Sequence, residues 1–278
     1  MMMNLLAFLH SRLNSVLDRL DIFQPPTPQP QLTWGLAAGV LGIAFLYSSV
    51  GFGGASGYLA VMALLQIPLN TAISTALTLN LIVAGIAFWN YYRTKHFSPE
   101  LLWPFAITSI PAAFLGGRIQ LDQFTYLLIL HVILLAIALR MLTAGDPPED
   151  TGELDAPSYW ISGLVGAGLG LLAGMIGIGG GVFLSPIIIL TKWGSPKTAA
   201  ATSAGFILLN SLSGLISRVI ADTFVFGAFG LTLLPLGVIG SLLGSTLGAI
   251  YLSGKTLKRI LGVIMLVVVI RFVFTQII

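Results

Sequence analysis

Two glycine-rich strings stand 126 residues apart (177 − 51): Gly51-Phe52-Gly53-Gly54-Ala55 and Gly177-Ile178-Gly179-Gly180-Gly181. Each interrupts a long apolar stretch. Clustered glycines break a helix and let main chain approach main chain or a ligand closely. A helix that restarts after such a break presents unpaired backbone N–H groups and the positive end of its dipole, a combination suited to an anion. Polar side chains follow in matched places. Ser56 comes just after the first string and Ser185 just after the second. Thr75, Thr78 and Asn80 lie in the next apolar segment of the first half, and Thr202, Ser203 and Asn210 lie in its counterpart. The expected binding elements are therefore Gly53, Gly54, Ser56, Thr75 and Asn80 from one half. From the other they are Gly179, Gly180, Gly181, Thr202, Ser203 and Asn210, with Arg218 as a source of attraction. Thr75 and Thr202 are favoured among the hydroxyls because they match.

The titratable groups point the same way. All ten acids fall in loops, in the tail or at segment ends, so the intramembrane carboxylate common in cation-coupled carriers is missing. His131, near the middle of an apolar segment, is the one mid-segment group that titrates near neutral pH, and it is the candidate for proton coupling. The absence of cysteine excludes disulfides and thiolate metal sites. No metal or other cofactor is expected. The formal charge of +3 comes from 13 basic and 10 acidic residues with no basic stripe, which leaves nucleic acid out as a partner.

The elements that must hold these groups are membrane helices. Hydrophobic residues make up 56% of the 278 and charged residues only 8%, against about 25% charged in a soluble domain. No polar stretch is long enough to form a separate soluble domain. Each half contains five apolar segments, most of them near the roughly 20 residues that span a bilayer. They run 32–50, 54–67, 71–92, 99–117 and 123–142, then 159–175, 179–190, 198–217, 224–251 and 257–274. Residues 143–158 hold Asp146, Glu149, Asp150, Glu153 and Asp155, half of the acids, and form a solvated linker. The domains expected are thus a tail and proline-rich linker over 1–31, one repeat over 32–142, the linker 143–158 and a second repeat over 159–278. In the tail, Leu6, Leu9, Leu13, Val16, Leu17 and Leu20 recur at helical spacing. That pattern reads as an amphipathic helix on the membrane surface rather than a cleaved signal.

Further matches support duplication. Thr71–Ala76 aligns with Thr198–Ser203 at an offset of 127, and Gly116-Gly117 with Gly244-Ser245 at 128. The second segment of each half is too short to cross alone, so it should start near mid-membrane. If all ten segments cross, one side receives Arg93, Lys95, Arg140, Lys192, Lys197, Lys255, Lys258 and Arg259. The other receives Arg118 and Arg218, with Arg12, Arg19 and Arg271 near the termini. Eight cations against five favour the first side as cytoplasmic, and an odd number of spans per repeat inverts the two halves. Were the short segments re-entrant, the repeats would be parallel.

The assembled motifs resemble the TauE/SafE sulfite-exporter family, also called the toluene-sulfonate uptake permeases. The resemblance lies in Gly177-x-Gly-Gly-Gly181 followed by Pro186, and in Ala199-x-x-Thr202-Ser203. It extends over about Leu32 to Phe274 and is better in the second half. In the first half Ala55 replaces the third glycine, no proline matches Pro186, and Ser74-Thr75-Ala76 stands where a Thr-Ser pair is usual. The resemblance implies a multi-pass inner-membrane carrier of sulfite, sulfonates or related organosulfur anions, with the lipid bilayer and a small anion as partners. A homodimer is also possible for such a carrier. The residues themselves support only "small anion". Two other classes fit less of the pattern. One is an anion channel or accessory membrane subunit. The other is an intramembrane serine protease, because Gly54-Ala55-Ser56-Gly57 resembles a rhomboid nucleophile string with His131 as base. The second half has no serine to match Ser56, since Val182 stands there and Phe183 stands opposite Gly57.

Overall fold

The computed structural model describes residues 34–65, 67–119 and 157–257, with scattered helical positions within 131–143 and 259–270. The expected surface helix of the tail and most of the 143–158 linker lie outside the described residues. Every regular element described is helical. In chain order they are α1 (Trp34–Ser48), α2 (Ala55–Leu64), α3 (Leu69–Arg93), α4 (Pro99–Gly116), α5 (Tyr159–Ile176), α6 (Gly181–Leu190), α7 (Pro196–Ile220) and α8 (Ala228–Thr246). A π turn, Leu247–Tyr251, continues α8. Among the described residues, four helices are long and apolar enough to cross a membrane: α3, α5, α7 and α8 with its π turn. Large rings sit exposed near helix ends, as at Trp34, Tyr159, Trp160 and Tyr251, the placement favoured at a membrane interface.

Local sequence sets several boundaries. Ser98 and Ser195 cap α4 and α7 by accepting from Leu101 N and Thr198 N, and a proline follows each cap. Gly177 ends α5 in the left-handed conformation, which a side chain resists. α2 and α6 have 10 residues each and so rise about 15 Å, half of a roughly 30 Å hydrocarbon core. α3 and α7 have 25 each and rise about 37 Å.

Close contacts fix how the helices run. Leu77 meets Gly214, Asn80 meets Ser211 and Gly85 meets Leu208; the numbers rise on α3 as they fall on α7, so this central pair is antiparallel. Gly166, Gly170 and Gly174 of α5 each press on the main chain of α4, at Phe105, Ser109 and Ala113. Gly240, Gly244 and Gly248 press in the same way on α1, at Leu41, Phe45 and Ser49. Both seams are parallel, and each has a glycine every fourth residue, which brings two backbones together without any Cβ between them.

Hydrogen bonds tie a third helix to each seam. Asn210 Nδ2 donates to Ser109 Oγ (3.1 Å), Ser213 Oγ to Ile110 O (2.6 Å) and Ser217 Oγ to Phe114 O (2.7 Å), joining α7 to α4. Asn90 Nδ2 donates to Ser245 Oγ (2.7 Å), and the Tyr91 hydroxyl donates to Ser49 O (2.6 Å). These two bonds join α3 to α8 and to the end of α1. Bonds of this kind between apolar helices contribute about 0.6 kcal/mol each. The described helices thus form two parallel trios, α1–α3–α8 and α4–α5–α7. Each trio takes helices from both halves of the chain, and the two meet along the antiparallel α3–α7 pair.

Candidate functional site

Each break follows the end of one helix, α1 or α5, and leads into a short one, α2 or α6. At the first, Gly51 (φ 78) packs its Cα against the backbone of Ala200, where a side chain would overlap the carbonyl. At the second, Gly177 (φ 77) faces Ile73, there through its side chain rather than its main chain. Ile73 and Ala200 are themselves 127 apart, so the offset that relates the two strings also exchanges their contacts. Gly54 (φ 91) and Gly180 (φ 72) form a second matched left-handed pair, directly before the short helices.

The two breaks come together at Asn80. This residue is fully buried at the middle of α3. Its Oδ1 accepts from Ala55 N at 3.0 Å, at the start of α2. A side chain on Gly53 would strike the same carboxamide. Asn80 Nδ2 points the other way, toward Ser211 Oγ at 3.5 Å. A methyl group on Gly179 would lie 3.1 Å from that nitrogen and 2.9 Å from Ser211 Oγ. One carboxamide therefore touches both breaks near mid-height, and the N-termini of both short helices approach it.

The other expected site residues are distributed around this point. Gly181 lies against the Ser203 carbonyl and Ile207, where a side chain would overlap both, and Gly180 lies against Ala173 and Phe206. Ser56 is held by the Tyr47 hydroxyl at 3.1 Å. Thr75, Thr202, Ser203 and Ser185 are fully buried, and their hydroxyls have no hydrogen-bond partner among the described residues. Thr75 and Thr202 do not converge. In the antiparallel α3–α7 register they sit on opposite sides of Asn80, about 20 Å apart by helical rise. Asn210 turns from the centre to α4, through Ser109 and its own Phe206 carbonyl. Arg218 is buried in the last turn of α7, about 10 Å along the helix from Ser211, and it favours that end of the helix dipole. His131 is buried in the fifth segment of the first half. Ser211 escaped the sequence reading because the position matched to it is Ala84.

Long apolar helices, two glycine breaks and a polar centre at mid-height define an integral membrane protein with the features of a transporter. The chain belongs to the sulfite exporter TauE/SafE family, whose model matches residues 36–272. It is similar to the probable membrane transporter protein y4hK of Sinorhizobium fredii, with 34% identity over 235 residues, 84% of this chain and 95% of that protein. It is also similar to the probable membrane transporter protein YunE of Bacillus subtilis, with 27% identity over 267 residues, 84% of this chain and 93% of that protein. No solved structure matches significantly. The chain is thus a membrane transporter of this family, not an enzyme, and the Ser56–His131 protease reading falls away.

Proposed function

We propose that this transporter is a secondary carrier of a small sulfur-containing anion: sulfite, thiosulfate, a sulfonate or a related organic anion. It works in the inner cell membrane by alternating access at the two glycine breaks. The observation that carries this reading is the meeting of both breaks on Asn80. Two short helices that start near mid-height direct their positive ends at one place, as carriers of anionic substrates do with broken helices. The loop placement of all ten acids argues against a cation site. The family name supplies sulfite as the first substrate to test.

Two inverted repeats are the favoured architecture. The antiparallel pairing of α3 and α7 supports it, as do the exchanged Gly51–Ala200 and Gly177–Ile73 contacts. The moving bodies on this reading are the two trios, not the two repeats. Polar bonds and glycine seams hold each trio together, whereas their shared α3–α7 face carries Leu77, Gly85, Leu208 and Gly214 around the long Asn80–Ser211 bond. The test is flux of labelled sulfite, thiosulfate and sulfonates into proteoliposomes, with and without a pH gradient. Saturable flux is expected; no anion flux from folded protein refutes the reading, and flux that never saturates means a channel. Stimulation by the pH gradient would bring His131 forward as the coupling group. In this cysteine-free chain, a disulfide between Leu77→Cys and Gly214→Cys should stop transport, and its reduction should restore it.

A further inference from the structure

We propose that Asn80 and Ser211 grip the anion from the side of the second break, Asn80 donating through Nδ2 while its Oδ1 seals the start of α2. This rests on the anion-carrier reading and assigns donors within it. The orientation of the carboxamide follows from its surroundings. Ala55 N–H needs an acceptor and finds one 3.0 Å away, so the carbonyl oxygen faces α2 and the NH2 group must face the other way. There, among the described residues, the amide hydrogens meet Ser211 Oγ alone, at 3.5 Å, the outer limit of a hydrogen bond. Buried donors are nearly always better satisfied than this.

Asn80 and Ser211 are both fully buried, and both front the backbone at Gly179. Beyond Gly179, α6 begins at Gly181 without a side-chain cap. Gly181 rests on the carbonyl of Ser203, whose own hydroxyl, like that of Thr202, is buried without a partner among the described residues. Those two hydroxyls lie about 12–14 Å along α7 from Ser211, so the donors at the break itself are the Asn80 NH2 group and Ser211. The start of α2 has the opposite character, because a carbonyl oxygen already occupies it and would repel an oxyanion. The asymmetry is written in the sequence: at the offset of 127, Asn80 corresponds to Ile207 and Ser211 to Ala84. A small oxyanion, which offers several acceptors on one centre, satisfies the NH2 group and the Ser211 hydroxyl together; the Gly181 and Phe183 amides of α6 already donate to the Gly179 and Gly180 carbonyls. Neutral donors hold it without a fixed counter-charge, which lets a carrier release it on the far side.

Asn80→Asp separates a binding role from a structural one. The aspartate is nearly isosteric and still accepts from Ala55 N–H but carries no NH2 donor, and reading it beside the uncharged Ser211→Ala separates lost donation from an added charge. The donor assignment predicts that the half-saturation concentration for labelled sulfite in proteoliposomes rises by about tenfold or more, the range expected for losing a hydrogen bond to a charged group. Ser211→Ala should raise half-saturation by about three- to tenfold with the maximal rate retained. Wild-type protein that moves no anion refutes the carrier reading itself. Wild-type flux together with unchanged half-saturation in folded Asn80→Asp overturns only this assignment. Should Asn80→Asp fail to fold, Ser211→Ala decides alone, and an unchanged half-saturation there overturns the assignment.

Discussion

At the first break Ala55 N–H meets Asn80 Oδ1 and the Ser56 hydroxyl meets Tyr47. At the second, α6 starts without a side-chain cap. Around it Ser185, Thr202 and Ser203 keep buried hydroxyls with no partner among the described residues. The backbones are close copies, with left-handed glycines at 51 and 54 against 177 and 180, and an additional one at Gly179. Tyr58 and Thr75 are the exceptions in the first half, because their hydroxyls are also buried without a partner among the described residues. Duplication of a backbone break does not duplicate its chemistry. The start of α2 is capped by a side chain from within the protein, whereas the start of α6, where the ligand is proposed to bind, is not.

The largest difference between the breaks should appear when their first glycines gain a methyl group. Gly51→Ala forces a side chain into the left-handed region and into the main chain of Ala200, which cannot yield without moving α7. The expected loss is about 3 kcal/mol or more, strain and overpacking combined. Gly177→Ala meets the Ile73 side chain, a stiff β-branched one but not main chain, so its loss should be smaller by about 1 kcal/mol. Thermal unfolding in detergent measures both, and equal losses would remove the mechanical part of the contrast.

Next in size is Asn80→Ala. It leaves Ala55 N–H buried and unsatisfied at the start of α2, which costs about 1–3 kcal/mol. The second break has no capping carboxamide to lose, since Ile207 occupies the position matched to Asn80. Removing polarity there has no counterpart effect on α6. If Asn80→Ala leaves the unfolding temperature unchanged, the capping bond contributes nothing and the first break is no more complete than the second.

The breaks, the short helices and the membrane class were legible from glycine positions and apolar run lengths alone. The expected short segment 179–190 contains all of α6, and 54–67 contains all of α2. The polar centre was less legible, for a geometric reason. Matching positions across the halves selects Thr75 and Thr202. In an antiparallel pair, though, matched residues meet only near its midpoint and diverge toward the helix ends. The residues that do meet, Asn80 and Ser211, are not matched to each other. Asn210 and Ser211 differ by one position, yet that step turns a side chain by about 100°. The turn sends Asn210 to α4 and Ser211 to α3. Only the register of α3 on α7, which no local pattern carries, distinguishes them.

The smallest effects give the finest test. Ser56→Ala removes the bond to the Tyr47 hydroxyl and should lower stability by about 1 kcal/mol, with sulfite half-saturation unchanged. Thr202→Val replaces a hydroxyl that has no partner among the described residues with a methyl group of nearly the same size. No hydrogen bond is lost, and an unsatisfied buried polar atom is removed. Stability should therefore hold within about 0.5 kcal/mol or rise. If the second break uses its hydroxyls on the substrate, Thr202→Val pairs that unchanged stability with weaker sulfite transport. Such a separation of stability from function is the opposite of what Ser56→Ala should show. Transport that survives Thr202→Val but fails in Ser56→Ala would reverse the assignment and place the ligand at the first break.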